Sequence, residues 1–350
     1  MPLTDTMIEE AAERYKREID RYQKLSELVF QKCLDIVQKQ LTIRATVQRR
    51  VKTPNSFKEK LKKQENRLKY NSVDEIFTQI SDLAGVRILT YLESDREAVV
   101  NEITKIFIGK GESKMPEIDL KDKEGAGKHY RATHCQIYLP EEYLDGANDN
   151  LKGTTCEIQV CSLLAHVFNE IEHDLQYKPL NGDISANEKE LLDQLGLLTK
   201  AGDITIKSLL DAADFRLKDS SGEFADVHDF VVRVRDLLML DHKFSKNAGQ
   251  LYDELSHLKI NTPEKIKQQL EILKDDKIDP EILSEFSSLK KYASEKEYDF
   301  ELEEGTSDIL LIALLNKHCP TIIANHPTGR GYGRPSRLAN IARAYNAMKS

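Results

Sequence analysis

Glu157 and Gln159 stand on one side of a short alternating run, with Cys156, Ile158 and Val160 on the other. A period of two describes a β-strand with one face in a core and one face open. Ser162 follows as a helix N-cap, and Leu164, Phe168, Ile171 and Leu175 then recur at helical spacing. The opposite helical face carries His166, Glu170, His173 and Tyr177. A carboxylate and an amide on a strand face that runs into a polar helix face suit a phosphate-handling cleft. The same pattern describes a half-buried strand with one wet side, and spacing alone does not separate the two. His166, Glu170 and His173 also have the chemistry of metal ligands, but their order is not the HExxH of zinc helices and no fourth ligand stands near.

A second concentration of chemistry is cationic. Residues 44–69 carry Arg44, Arg49, Arg50, Lys52, Lys58, Lys60, Lys62, Lys63, Arg67 and Lys69 against only Glu59 and Glu65. Pro54 interrupts the run, and Ser56 is expected to cap a helix over residues 57–68. Arg50 and Lys52 then lie just ahead of a helix N-terminus and Lys60 one turn inside it, an arrangement that attracts phosphate. A solvated basic helix has the same composition. Residues 85–92 read as a buried strand interrupted by Arg87, a cation that must reach an anion or water. Asp82 precedes that strand, where a carboxylate can hold a magnesium ion, or cap a turn and pair with Arg87. Residues 129–139 form a further strand with Cys135, Ile137 and Leu139 on one face and Tyr130, His134 and Gln136 on the other. A tyrosine at the mouth of a loop can stack on a base, and a histidine can donate to a phosphate. An exposed strand face would carry the same residues.

The elements that must position these groups are mostly helical. Tyr15, Ile19, Tyr22, Leu25, Val29 and Ile36 predict one or two packing helices over residues 6–41. Short helices are expected over residues 74–80 and 95–107, and residues 109–128, with Gly125 and Gly127, read as a mobile loop. Residues 179–183 read as a turn, residues 186–201 and 204–217 as two helices, and residues 219–223 as a linker. The division expected is therefore 1–218 and 219–350. Helices are suggested near residues 225–240, 248–258, 263–273 and 280–292, with no catalytic constellation among them. His318, Cys319 and His326 are too sparse for a zinc site. Residues 326–335 are glycine-rich, and Arg330, Arg334, Arg337, Arg343 and Lys349 have no acidic neighbours in sequence. That local basic patch suits RNA phosphates or a return to the active site, as well as a solvated loop before a frayed helix.

Composition bounds the function classes. The chain has 350 residues, 40% hydrophobic and 31% charged, and a net charge of −8, which argues against a generic nucleic-acid binder. None of the five cysteines is in a CxxC pair, so reduced, structural thiols are expected. No apolar run has membrane-spanning length and the opening residues do not read as a signal peptide, so the cytoplasm is the expected compartment and no membrane partner is expected.

Four segments in order resemble the RelA/SpoT-type synthetase domain, which makes guanosine penta- and tetraphosphate alarmones. They are Arg50-Val51-Lys52-Thr53-Pro54-Asn55-Ser56 with Lys60; Asp82-Leu83-Ala84-Gly85-Val86-Arg87; Tyr130-Arg131-Ala132-Thr133-His134; and Glu157-Ile158-Gln159 with Glu172-His173. The resemblance spans roughly residues 20–215 and includes neither the hydrolase half nor the regulatory domains of long family members. It implies an α/β (α+β) fold, a nucleotidyltransferase-like mixed sheet flanked by helices, followed here by a mainly α-helical C-terminal region. It further implies pyrophosphate transfer from ATP to the 3′-hydroxyl of GDP or GTP. Arg50 and Arg87 would clamp the adenine, and Lys52 and Lys60, with Ser56 in the same segment, would bind ATP phosphates. Asp82 and Glu157 would serve magnesium and catalysis. Tyr130 would stack on the acceptor base, Arg131 and His134 would reach acceptor phosphates, Gln159 would support that side, and His166 would lie near it.

Three departures fall on the acceptor side. Cys161 stands where the family usually has arginine, Ala132 replaces a serine, and Gly127-Lys128-His129 stands where an Asn-Gly pair is common. The 3′ end of tRNA or an adenine nucleotide is thus an alternative acceptor, and a catalytically weak nucleotide- or RNA-binding regulatory module is a further alternative. A homo-oligomer or a regulatory partner is expected to work through the C-terminal region.

Overall fold

The fold is that of a computed structural model, which describes residues 2–111, 115–122, 129–144, 146–177, 184–217, 221–240, 242–327 and 336–350. It falls into two compact units, Met1–Val37 with Arg44–Ser208 and Gln38–Ile43 with Leu209–Ser350. Among the described residues no helix is long and apolar enough to cross a membrane, and all five cysteines are free and buried.

In the first unit, α1 (Asp5–Asp35) starts where the Thr4 hydroxyl accepts from the Met7 N–H, and it buries Ile8, Tyr15, Tyr22, Leu25 and Val29 at three-and-four spacing. β1 (Ala45–Val51) follows. It lies in the basic segment, where Gln48, Arg49 and Arg50 hide the two-residue period. α2 (Pro54–Lys62) is capped by Thr53, whose hydroxyl accepts from the Ser56 N–H at 3.1 Å. The expected cap at Ser56 is therefore corrected. Proline has no N–H to lose at the first helical position, so the residue before it becomes the cap. The helix expected over residues 57–68 breaks at Lys63 and resumes as α3 (Gln64–Lys69). α4 (Val73–Gln79), β2 (Ala84–Thr90) and α5 (Asp95–Ile106) fall near their expected places.

β3 (Glu117–Leu120) lies inside the segment read as a loop. Its four residues are all exposed, so no burial pattern announced it, and backbone pairing to β4 (Thr133–Ile137) holds it. Gly125 and Gly127 lie outside the described residues. β5 (Cys156–Ser162) runs into α6 (Leu163–Tyr177), and Ser162 Oγ accepts from the Ala165 N–H at 3.1 Å as the expected cap. Phe168 is buried as expected, but Ile171 is 39% exposed. α7 (Ala186–Leu217) is one helix where two were expected. Gly202 lies within it, and its missing Cβ leaves room for the Leu164 side chain. The turn at 179–183 and residues 219–220 of the expected linker lie outside the described residues.

The five strands form one sheet in the order β1-β2-β5-β4-β3. β2 and β5 are parallel and the other pairs antiparallel, so the sheet is mixed. Val86, Ile88, Cys135, Ile137, Ile158 and Val160 are buried on one face, and α1 and α5 pack against the sheet. The register aligns two polar rows across the other face. One reads Gln48, Arg87, Gln159, His134, Asp119, and the next reads Arg50, Gly85, Glu157, Gln136, Glu117.

The second unit is helical: α8 (Val227–Leu237), α9 (Ala248–His257), α10 (Pro263–Leu270), a hairpin of β6 (Leu273–Lys274) and β7 (Lys277–Ile278), then α11 (Pro280–Glu295), α12 (Asp308–Asn325) and α13 (Arg337–Lys349). One apolar cluster including Phe230, Phe244, Leu251, Leu289, Leu314 and Ile341 holds it together. The expected basic patch is matched by partners distant in sequence. Arg337 makes two bonds to the Asp308 carboxylate at 2.8 and 2.7 Å, Arg343 donates to the His326 carbonyl, and Lys349 pairs with Glu285. Arg330 and Arg334 lie outside the described residues.

The Asp308 side chain is only 1% exposed, so deleting it removes the buried carboxylate that Arg337 and the Glu303 N–H share and leaves Arg337 the Glu301 carbonyl. Asp308→Ala is expected to lower stability by about 3 kcal/mol in urea unfolding. A loss below about 1 kcal/mol, the scale of an exposed pair, would contradict this account.

Candidate active site

The polar face of the sheet floors a cleft of about 1210 Å³. Small-molecule pockets run to about 300–1,000 Å³, so this cleft exceeds the usual range. Asp82, Glu157, Arg50, Lys52, Ser56, Lys60, Arg87, Tyr130, His134, Gln159 and His166 all line it. Arg131 does not.

Asp82 is the first node. It sits in the loop between α4 and β2, two residues before the strand, and its carboxylate meets Lys52 Nζ at 3.1 Å and Lys60 Nζ at 2.9 Å. Lys52 is fixed by the backbone, since its N–H continues the β1 ladder to the Leu83 carbonyl at 3.0 Å. The buried Tyr15 hydroxyl donates to the Lys52 carbonyl at 2.6 Å. Lys60 projects from α2, whose end is tied down by the Asn66 amide donating to the Lys60 carbonyl at 2.8 Å. Burial works to raise the Asp82 pKa, but Lys60 and Lys52 outweigh it and hold the carboxyl below its usual value. Sequence had offered Arg87 as the structural partner of Asp82; the lysines take that place.

Glu157 is the second node. Gln159 Nε2 donates to Glu157 Oε2 at 2.7 Å, and His134 Nδ1 lies 3.3 Å from Oε1. His134 Nε2 in turn lies 3.1 Å from the Tyr130 hydroxyl. On the other side, Arg87 Nε donates to Gln159 Oε1 at 3.2 Å and its Nη2 pairs with Glu170 at 2.8 Å. Tyr130, His134, Glu157, Gln159, Arg87 and Glu170 thus form one continuous polar chain across β4, β5, β2 and α6. Burial pushes the Glu157 carboxyl up, yet the His134 and Gln159 contacts prevail and lower it, with the Asp82 charge opposing them. Burial, aided by Arg87, lowers the His166 pKa and favours its neutral form.

Arg131 points away from this chain. Its guanidinium donates to Asp203 of α7 at 2.8 Å. Cys161 lines the cleft but is 4% exposed, and burial pushes its thiol up to about 12, so it is an inert thiol beside Leu89, Ala132 and Ala165. Sequence reasoning gave no role to Asn169, Lys121 or Gly85. Asn169 follows His166 on the same helical face and bonds the Arg131 backbone at both its N–H and carbonyl, at 3.4 and 3.1 Å. That spacing could have found it. Lys121 follows β3, which was hidden as a loop.

Gly85 lies between Arg50 and Glu157 in register, so any side chain there would project over the floor. A cavity of about 50 Å³ opens at that point, lined by Asp82, Gly85, Glu157 and Arg87 among others. A water needs about 10–15 Å³, so the space suits water or an ion. Among the described residues no group of three His, Cys, Asp or Glu is placed to hold a metal ion, and Glu170 of the sequence-suggested trio is engaged by Arg87. Magnesium is commonly held by one or two carboxylates together with substrate phosphates and water. Two carboxylates lining one cation-rimmed cleft fit that ion.

Residues 49–181 match the family described as the region found in RelA / SpoT proteins. The stretch opens within β1 and extends past α6, so it takes in both carboxylate nodes. The chain is similar to the small alarmone synthetase 1 from Bacillus subtilis, at 23% identity and a TM-score of 0.45, over 57% of this chain and 97% of that one. It is similar to a GTP pyrophosphokinase family protein from Streptococcus pneumoniae, at 21% identity and a TM-score of 0.45, over 57% and 94%. It is also similar to the Bacillus subtilis synthetase 1 bound to its product pppGpp, at 22% identity and a TM-score of 0.43, over 57% and 97%. No curated protein matches.

The depressed Asp82 pKa fixes the sign of a pH effect. A carboxyl lowered on folding stabilises the fold above its unfolded value, near 3.8, and that contribution is lost as pH falls through the lowered value. Lys60→Met should therefore raise the Asp82 titration midpoint, followed by carboxyl carbon NMR, and narrow that acid window. An unmoved midpoint would show that Lys60 does not hold the charge.

Proposed function

Because a RelA/SpoT region spans the strands that floor the cleft, we propose that this chain transfers pyrophosphate from ATP to the 3′-hydroxyl of GDP or GTP. The observation that carries this reading is the meeting of Asp82 and Glu157 in one cleft with Arg50, Lys52, Lys60 and Arg87, groups drawn from three separate parts of the sequence.

The acceptor 3′-oxygen forms a bond to the β-phosphorus of ATP as the bond from that phosphorus to the bridging α–β oxygen breaks. AMP leaves and the hydroxyl proton is released. Such displacements depend chiefly on positioning and on neutralising charge. In this reading Arg50 and Arg87 hold the adenine between guanidinium planes, and Lys52, Ser56 and Lys60 bind the phosphates. Asp82 and Glu157 would hold magnesium, which when bound neutralises charge developing on the phosphates. Tyr130 stacks on the acceptor base, with His134, Gln159 and His166 along its side. Glu157 is oriented by His134 and Gln159 to receive the hydroxyl proton. A general base of this kind contributes on the order of 10²–10⁴ in rate.

A second acceptor, the 3′ end of tRNA or an adenine nucleotide, is favoured by two observations. Cys161 supplies no cation and Arg131 is engaged by Asp203, which weakens the side that would hold acceptor phosphates. γ-Labelled ATP offered with separate GDP, GTP, AMP and tRNA tests the reading. Label on GDP or GTP is the expected result, label on tRNA or AMP alone transfers the assignment to the second acceptor, and no label on any acceptor refutes enzymatic transfer. Tyr130→Ala should raise the acceptor KM roughly tenfold or more, since stacking on a base is worth about 1–3 kcal/mol, and leave ATP binding in place. An equal loss on both sides would contradict the roles assigned.

A further inference from the structure

Tyr130 sits between two residues that one helix grips. On its N-terminal side His129 is 4% exposed, with Nε2 2.7 Å from Asp193 Oδ1 of α7. The His129 ring meets Phe168 of α6 edge-on, at 5.7 Å between centroids and 81° between planes. One turn along α7, Gly196 lies against the same ring. A Cβ at Gly196 would fall 2.1 Å from His129 Cγ and 2.2 Å from Cδ2, so the glycine is there for space, not for backbone freedom. It stands mid-helix, where glycine costs about 1 kcal/mol against alanine.

On the C-terminal side Arg131 donates to Asp203 at 2.8 Å, and its backbone is bonded on both sides by Asn169. Asp203 Oδ2 also accepts from Ser162 Oγ at 3.1 Å, the residue that caps α6 at the end of β5. Asp193, Gly196, Thr199 and Asp203 recur at spacings of three, three and four, one stripe of α7, and the last three of them are buried. The tyrosine between these anchors then reaches His134, and through it Glu157.

We propose that Asp193, Gly196 and Asp203 are positioning residues that set Tyr130 in the acceptor half of the cleft, so that α7 tunes acceptor affinity without touching a nucleotide. The inference rests on Tyr130 stacking on the acceptor, as assigned above. α7 begins at Ala186, beyond the matched residues 49–181. A helix that holds a strand entry by packing shifts it as a unit, because packed interiors have little free space.

The test uses the full chain and steady-state kinetics with ATP and acceptor varied separately. Gly196→Ala improves helix propensity but forces His129 to move. Its acceptor KM should rise about tenfold, the lower range of a lost base stack, with the ATP KM within about twofold. Asp193→Asn and Asp203→Asn keep shape and remove charge, and should move the same constant several-fold in the same direction. Leu198→Ala, on the face of α7 that is 68% exposed at that residue, should change neither. Acceptor KM unmoved in the folded variants, or both KM values rising together, overturns the inference. If Gly196→Ala does not fold, the two Asn variants decide by the same split. A wild-type chain that labels no acceptor would instead overturn the functional reading on which this rests, a result distinct from active protein with unmoved acceptor KM.

Discussion

Taking a carboxylate out of water raises its pKa and costs free energy unless cations meet it. Asp82 meets two, Lys52 and Lys60, and each is delivered by a different device. The β1 ladder and the Tyr15 hydroxyl fix Lys52, while Thr53 and Pro54 start the helix that carries Lys60. The edge strand, the first helix and α2 can all be understood as the frame of this three-charge cluster. A bound phosphate or divalent ion would exchange partners with charges already gathered in place, which keeps reorganisation small.

The second carboxylate depends on the sheet. Glu157 lies beside Gly85 in register, two strands from Arg50 and one step from the row that holds Arg87, Gln159 and His134. Cross-strand neighbours share a face, so a parallel pair, β2 and β5, flanked by antiparallel strands brings groups from distant segments into line. The polar chain from Tyr130 to Glu170 links the proposed acceptor side to the proposed ATP side through Glu157. α6 and α7 then hold the proposed acceptor edge through Asn169, Asp193 and Asp203.

Much of this was legible in sequence where burial is one-sided. β5 and β2 declared themselves through Ile158, Val160, Val86 and Ile88, and the Ser162 cap through its place between strand and helix. β1 was not, because its outward residues are arginines and glutamine, and β3 was not, because backbone pairing alone holds an exposed strand. Thr53 was overlooked for Ser56 although Pro54 marks the residue before it as the cap. α12 is buried over most of its first two turns, so it lacks the amphipathic period that reveals a surface helix. The partner of Arg131 lies on α7, 72 residues away, and no local pattern announces a contact across such a span. The same holds for Arg337 and Asp308, whose pairing turns an apparent basic patch into a buried tie.

The central claim is that Asp82 and Glu157 act as one charged site. A double-mutant cycle of Asp82→Asn and Glu157→Gln, read as ATP-dependent AMP release in the presence of acceptor, tests it most directly. Groups that act as a unit are strongly non-additive, so each single variant should abolish nearly all turnover and the double variant should be no worse than either. Independent, additive losses, or a single variant that keeps most of its activity, would contradict the account.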